Sequence, residues 1–505
     1  MKYISTRGNI RPVSVMEAIK VGMVPQGGLF IPEDIPLISS QKFSSWINLS
    51  YAQLAQEIFS LFLADDFSEQ EITEIIYKAY RTENFAREEI TPLVRLDEQL
   101  FILELFHGPT GAFKDIALQA LPHILSHILK KLSFKNQLLI LTATSGDTGK
   151  AALEGFKNIP GIQIVVYYPF QKVSKMQEWQ MLTTEGDNTQ VMALQGNFDD
   201  CQNAVKQIFA NRDFNILLAK KGFELSSANS INWGRLFPQI VYYFYAYLSL
   251  LKEKHIQYGE RINFAVPTGN FGNILAAWYA KEMGLPVAKL ICASNINKVL
   301  TDFFNSGSYE INRPLLSTIS PSMDILTSSN LERFLFYLAE HQSSYIAKLM
   351  KELQERGRFV LEKSMREKIK EIIYAGYADE KETLNTIRSI YYDYHYLADP
   401  HTAVGIKVFR DYQKLDSTQT KTVVTATATP FKFNKAVLTA LTGEVFQDKN
   451  NEFLLLEKLS DYTGLAIPAL FKDWEKKTIK DPLICPKGKA WQGLLQILKL
   501  NNLPE

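Results

Sequence analysis

The sequence has 505 residues, 46% hydrophobic and 22% charged, which is the composition of a globular chain long enough for two or more domains and a large core. Lys and Arg total 55 against 54 Asp and Glu, so a net charge of +1 offers no field to gather nucleic acid or an anionic membrane; any anionic ligand must be caught by a local site. The three cysteines, Cys201, Cys292 and Cys485, are too few and too scattered for a disulfide framework or a four-ligand zinc cluster, and Met1–Pro12 has no apolar leader, so a reducing cytoplasmic setting is expected.

In chain order, residues 1–95 read as an N-terminal helical unit. Apolar positions recur there at helical spacing, at Leu54, Ile58, Leu61 and Phe62 and again at Ile72, Ile75 and Ile76. From Leu100 the texture changes to short apolar runs followed by helical patterns. Strands are expected at Leu138–Thr142, Ile162–Tyr168, Ile262–Val266, Lys289–Ala293 and Thr422–Thr425. Helices are expected at Ile116–Leu129, Thr148–Phe156, Ser174–Thr183, Gly272–Met283 and Lys435–Leu441. Such alternation marks an α/β fold with parallel sheets flanked by helices. The most apolar segment, Phe237–Leu251, is shorter than the roughly 20 residues of a spanning helix and contains Pro238, Gln239 and tyrosines, so it reads as a buried helix. The α/β core then falls into two parts, 96–329 and 387–442. A charged helical insertion, 330–386, separates them, and a Lys-rich tail, 443–505, carries no evident chemistry.

Ligand sites in open α/β sheets lie at the carboxyl ends of strands, and three turns there combine small residues with hydroxyls or amides. Thr142–Gly149 sets Ser145, Gly146 and Thr148 at a helix N-terminus, which suits an anion. Pro267–Asn273, reading Pro-Thr-Gly-Asn-Phe-Gly-Asn, lets glycine backbones converge on a phosphate against a helix dipole. It is neither a nucleotide P-loop, since no Gly-Lys-Ser/Thr follows, nor a dinucleotide Gly-x-Gly-x-x-Gly. His107–Asp115 puts Lys114 between a glycine-rich turn and a helix, where a desolvated lysine can serve as a Schiff-base nucleophile. Singly, each has an ordinary use as a helix-start charge, an N-cap or a tight turn. Together, a phosphate cup and a reactive lysine in one α/β chain imply pyridoxal phosphate. His123 and His127 lack the further ligands of a metal site, no Gly-x-Ser-x-Gly elbow marks a serine hydrolase, and no basic groove flanks Tyr242–Tyr245.

As an ordered set these segments resemble the threonine synthase family, pyridoxal-phosphate enzymes of the tryptophan-synthase-β fold. The likeness runs from Gly27–Pro32 through Leu105–Asp115, Thr142–Gly149, Ser227–Asn232 and Gly269–Asn273 to Asp399–Gly405 and Thr425–Phe433. It implies a fold type II core, pyridoxal 5'-phosphate as cofactor and Lys114 as the Schiff-base lysine. It makes Gly269, Asn270, Phe271, Gly272 and Asn273 the cofactor-phosphate loop and sets Thr427 against the pyridine nitrogen. On the substrate side it places Ser145, Asp147 and Thr148, with Asn229, Asn232 and Arg235 nearby; a guanidinium such as Arg235's can bind two oxygens of a phosphate dianion. The implied reaction converts the small-molecule substrate O-phospho-L-homoserine and water to L-threonine and phosphate. Three positions depart from the family pattern: Gly111 stands where a leucine is common, Thr429 where a histidine is common, and Lys150 adds a cation after Ser145–Gly149. A lyase releasing 2-oxobutanoate would need the same lysine, and a non-catalytic binding protein would share the fold; both alternatives stand at this point.

Overall fold

The computed structural model describes residues 1–144, 146–446, 451–473 and 476–500, apart from the side chain of Asp199. The apolar runs of the sequence fold as strands buried on both faces, as parallel strands must be when helices cover each side. In chain order the strands are β1 (Tyr3–Ser5), β2 (Phe30–Pro32), β3 (Leu93–Arg95), β4 (Leu100–Glu104), β5 (Gln137–Ala143), β6 (Ile162–Pro169), β7 (Thr189–Gln195), β8 (Phe223–Ser227), β9 (Ile262–Pro267), β10 (Val287–Ser294), β11 (Ser308–Glu310), β12 (Arg358–Val360), β13 (Ile373–Tyr377), β14 (Thr422–Ala426) and β15 (Leu483–Pro486). One sheet has the order β13-β10-β9-β14-β4-β3, parallel except for the edge strand β3. The other, β15-β7-β6-β5-β8, is parallel throughout. The pairs β1/β2 and β11/β12 form two small antiparallel ribbons.

Helices Tyr51–Leu63 and Glu69–Ala79 each begin with a capping box, Ser50 with Gln53 and Ser68 with Glu71, which satisfies N–H groups the first turn leaves open. The first of them meets the buried helix Ile240–Lys252 and its approach through an aromatic cluster in which Phe59 and Phe62 contact Phe237, and Phe62 and, from β1, Tyr3 contact Trp233; the second packs against the first and against the helix Lys114–Lys131. The segment Phe237–Leu251 is therefore core, and no helix among the described residues is long and apolar enough to cross a membrane.

A helix-on-helix contact sets the geometry of the site. Pro122 lies inside the helix Lys114–Lys131 and has no N–H to offer the carbonyl of Leu118. Gly155, in the helix Asp147–Phe156, packs against that carbonyl so closely that a Cβ would collide with its oxygen. The two helices can thus lie side by side with Lys114 and Asp147 both in their first turns.

The stretch 330–386, expected to be helical, holds the helices Leu331–Leu338, Ser343–Arg356 and Lys363–Ile372 but also two strands. One of them, β13, pairs with β10 and forms the outer edge of the six-stranded sheet. The tail beyond 443 likewise contributes β15, which pairs with β7 at the edge of the second sheet.

Candidate active site

The carboxyl ends of β5, β8, β9 and β14 open on one cavity of about 550 Å³, to which Lys114, Asp147, Arg235, Gly269, His401 and Thr427 contribute. Lys114 begins its helix directly after the glycine-rich turn. The turn is closed from within by Asp115, whose carboxylate accepts from the Thr110 N–H (2.8 Å) and hydroxyl (2.7 Å). It is tied to the end of β14 by the Phe113 N–H, which donates to the Thr427 carbonyl at 2.9 Å. Burial pushes the Asp115 carboxyl up to about 6, against the pull of those bonds.

Asp147 is the electrostatic hub. Its Oδ1 accepts from Lys432 Nζ at 3.1 Å and Gln177 Nε2 at 3.0 Å. Its Oδ2 accepts from Ser322 Oγ at 3.1 Å and lies 3.6 Å from Lys114 Nζ. Burial alone would raise its pKa, but the charges of Lys432 and Lys114 and the Gln177 bond outweigh it and hold the carboxyl well below the ordinary carboxylate range. For Lys114 the balance runs the other way. Burial, helped by the cations Lys432 and Arg235, overrides the attraction of Asp147 and lowers the amine's proton affinity. A lysine so placed is more readily neutral, and only the neutral amine is a nucleophile or base.

The turn after β9 leads into the helix Gly272–Glu282, in which Asn273 Oδ1 accepts from the Ile274 N–H at 2.9 Å while the N–H groups of Gly272 and Asn273 have no partner within the helix. Its conformation depends on Phe271, which takes a left-handed backbone (φ +63°) and buries its ring against Phe304 and Phe334. The loop's carbonyls are tied back: Ser328 Oγ donates to Gly269 O at 2.8 Å, and the Asn330 N–H and Nδ2 donate to Asn270 O at 3.1 and 3.0 Å. Gly269, Asn270, Gly272 and Asn273 remain along the cavity. Arg235 Nη1 donates to the Ala228 carbonyl, while Arg235 Nε and Asn229 Oδ1 are buried without any protein partner. Burial lowers the guanidinium to about 10.

The residues expected from sequence thus converge, with three exceptions. Ser145 lies outside the described residues. Asn232 does not reach the cavity: its Nδ2 donates to the carbonyls of Ile19 and Ser227 and its Oδ1 caps the helix Trp233–Leu236 through the Gly234 N–H. Phe271 offers only its backbone, since its side chain belongs to the core. Lys150 points to Glu154 and Thr184, both at 2.8 Å, and not into the cavity. The other two departures are neighbours, for a Cβ on Gly111 would lie 2.7 Å from Thr429 Cγ2, behind the Lys114 turn. Sequence reasoning overlooked Lys432, Gln177, Ser322 and His401. His401 Nδ1 bonds Asp399 at 2.7 Å, and its Nε2 accepts from the Ser322 N–H at 3.2 Å. Lys432 and His401 stood inside two of the motif segments, so a buried cation and an imidazole were visible there without any clue to their partners.

Residues 2–80 match the family described as threonine synthase N terminus, 85–428 that described as pyridoxal-phosphate dependent enzyme, and 402–465 that described as threonine synthase, C-terminal. The chain is 38% identical over 444 residues to a threonine synthase of Pseudomonas aeruginosa, covering 88% of this chain and 91% of that protein. It is 40% identical over 458 residues to threonine synthase-like 1 of Homo sapiens, covering 89% of this chain but spanning only 60% of the human protein's length. Among solved structures, the PLP-bound threonine synthase from Brucella melitensis matches with a TM-score of 0.87 at 34% identity over 100% of both chains. The yeast threonine synthase matches with a TM-score of 0.88 at 34% identity, over 99% of this chain and 98% of that one.

Proposed function

The chain belongs to the threonine synthase family of fold-type-II, pyridoxal-phosphate-dependent enzymes, and from that premise we infer that it converts O-phospho-L-homoserine and water to L-threonine and phosphate. The observation that carries this reading is one cavity lined both by Lys114, its proton affinity lowered, and by the glycine-rich loop at the start of the helix Gly272–Glu282.

The residues fit the cofactor. A phosphate suits the open N–H groups and dipole at Gly269–Asn273, where a Cβ on Gly269 would stand 2.7 Å from the Ser322 backbone oxygen, while Arg235 Nε, a buried donor without a protein partner, is left for the substrate's phosphate. In this reading Gly269, Asn270, Phe271 through its backbone, Gly272 and Asn273 would hold the phosphate, Thr427 would be the partner of the pyridine nitrogen, and Lys114 would be the lysine that bonds the cofactor. Bound there, pyridoxal phosphate supplies an electron sink for the charge that develops at the substrate's α-carbon. Thr427 is a neutral partner, so it does not hold the ring nitrogen protonated as a carboxylate would.

The chain's own residues supply the rest. Lys114, once free, takes and returns protons at the substrate carbons, a role its lowered proton affinity favours. Arg235 offers a charge-assisted bond to a substrate phosphate, and Thr148 and Asn229 set polar groups along the same wall, where a water can be oriented. The three cysteines are buried and unpaired, in keeping with a reducing cytoplasmic location. Release of threonine with phosphate from O-phospho-L-homoserine tests the reading, and recovery of 2-oxobutanoate in place of threonine contradicts it.

A further inference from the structure

We propose that Asp147 is the positioning residue for the Lys114 amine, kept as a carboxylate by Lys432, and that it is not a ligand of the substrate. This rests on the reading of Lys114 given above. The four groups around the carboxylate come from four separate elements: Lys432 from the turn Pro430–Phe433, Gln177 from the helix Lys175–Leu182, Ser322 from the turn Pro321–Met323 and Lys114 from its own helix start. Three of them donate hydrogen bonds to the two oxygens, and Lys114 Nζ stands 3.6 Å from Oδ2. With its side chain 3% exposed and its oxygens so engaged, Asp147 has little left to offer a substrate, and its charge repels the carboxylate and phosphate of an anionic one.

What the geometry does allow is pairing with Lys114 whenever that nitrogen carries a proton. The other charged or titratable groups nearby are Lys432 and Arg235, His401 on its partner Asp399, and Asp115, which feels Lys432 from the Lys114 helix. Lys432 is wholly buried and directly bonded to Asp147, so it favours the ionised carboxylate and discourages Asp147 from taking the proton itself. When a substrate C–H bond breaks, its electron pair stays with carbon and its proton goes to the lone pair of Lys114 Nζ. Asp147 holds the resulting ammonium in place, from which the same proton can be returned.

The two charges should therefore act on Lys114 in opposite directions. In the holoenzyme the visible absorbance of the lysine-bound cofactor, titrated with pH, reports when the Lys114 nitrogen loses its proton. Asp147→Asn should move that transition to lower pH by about one unit or more, and Lys432→Met should move it to higher pH. Asp147→Asn leaves Lys432 buried and unpaired and can fail to fold. The double variant Asp147→Asn/Lys432→Met removes both charges, and compared with Lys432→Met alone it should again shift the transition down. Opposite shifts support the proposal. Shifts in the same direction, or band intensity that falls with no movement of the transition, overturn it. Borohydride fixation of the cofactor on Lys114 in the unaltered enzyme checks the underlying reading separately.

Discussion

Lys432 Nζ lies 3.1 Å from Asp147 Oδ1, and neither side chain has appreciable contact with solvent. The pair is close to neutral as a unit, so Lys114, whose Nζ stands 3.6 Å from the other oxygen, sees only part of the carboxylate's attraction. Burial then dominates and lowers its pKa from the ordinary 10.5. If Lys114 must be neutral to accept a proton, the midpoint of the rising limb of the pH profile of kcat should lie below that value. A midpoint at or above it contradicts the assignment.

Lys114→Ala should abolish the visible absorbance of the lysine-bound cofactor and lower kcat by roughly two to four orders of magnitude, the usual weight of a positioned general base, or more where the covalent role counts as well. Borohydride reduction of the unaltered protein, followed by peptide mapping, should place the adduct on Lys114. An adduct on another lysine would show that the central residue is misassigned.

Arg235 offers a sharper test of the phosphate wall. Arg235→Ala should raise KM for a phosphorylated substrate about ten- to a hundredfold, on the order of 1.5–3 kcal/mol, while cofactor retention changes little. Arg235 also donates to the Ala228 carbonyl, so Arg235→Lys, which keeps a charge and a donor, should recover part of the loss. Parallel loss of substrate and cofactor binding in both variants would make the arginine a structural group.

At Gly269 a Cβ would stand 2.7 Å from the backbone oxygen of Ser322, with no flexible side chain to yield. Gly269→Ala should therefore displace the loop and weaken cofactor retention about tenfold or more, measured by dialysis against cofactor-free buffer. The same protein should keep its far-UV spectrum. Unchanged retention would mean that the loop does not hold the cofactor's phosphate.

Much of this arrangement could be read from the sequence because the chemistry sits on local signals. Lys114 follows its own glycine turn, and the Gly269–Asn273 loop is bracketed by a recognisable strand and helix. What could not be read depends on contacts across the chain. Asp147 was visible at a strand end, but its partner Lys432 is 285 residues away, so the engagement of its carboxylate oxygens could not be read from its neighbours in sequence. Asn232 had the right neighbours in sequence, yet its amide is consumed by a helix cap and two carbonyls. The strands β13 and β15 escaped notice because each is short, partly exposed and at a sheet edge, where one side needs no apolar partner and the periodicity fades.

Only the fate of the carbon skeleton separates a synthase from a simple eliminating lyase, since phosphate departure and Lys114 chemistry would be common to both. For threonine to form, the carbon skeleton would have to stay in the cavity after phosphate leaves until a water adds at Cβ, a water for which Thr148 and Asn229, both along the cavity, are the proposed orienting groups. The enzyme should be given O-phospho-L-homoserine alone in heavy-oxygen water and its products analysed by mass. Phosphate and threonine should appear in equal amounts, with the label in the threonine hydroxyl; 2-oxobutanoate as the main carbon product would contradict the proposed reaction.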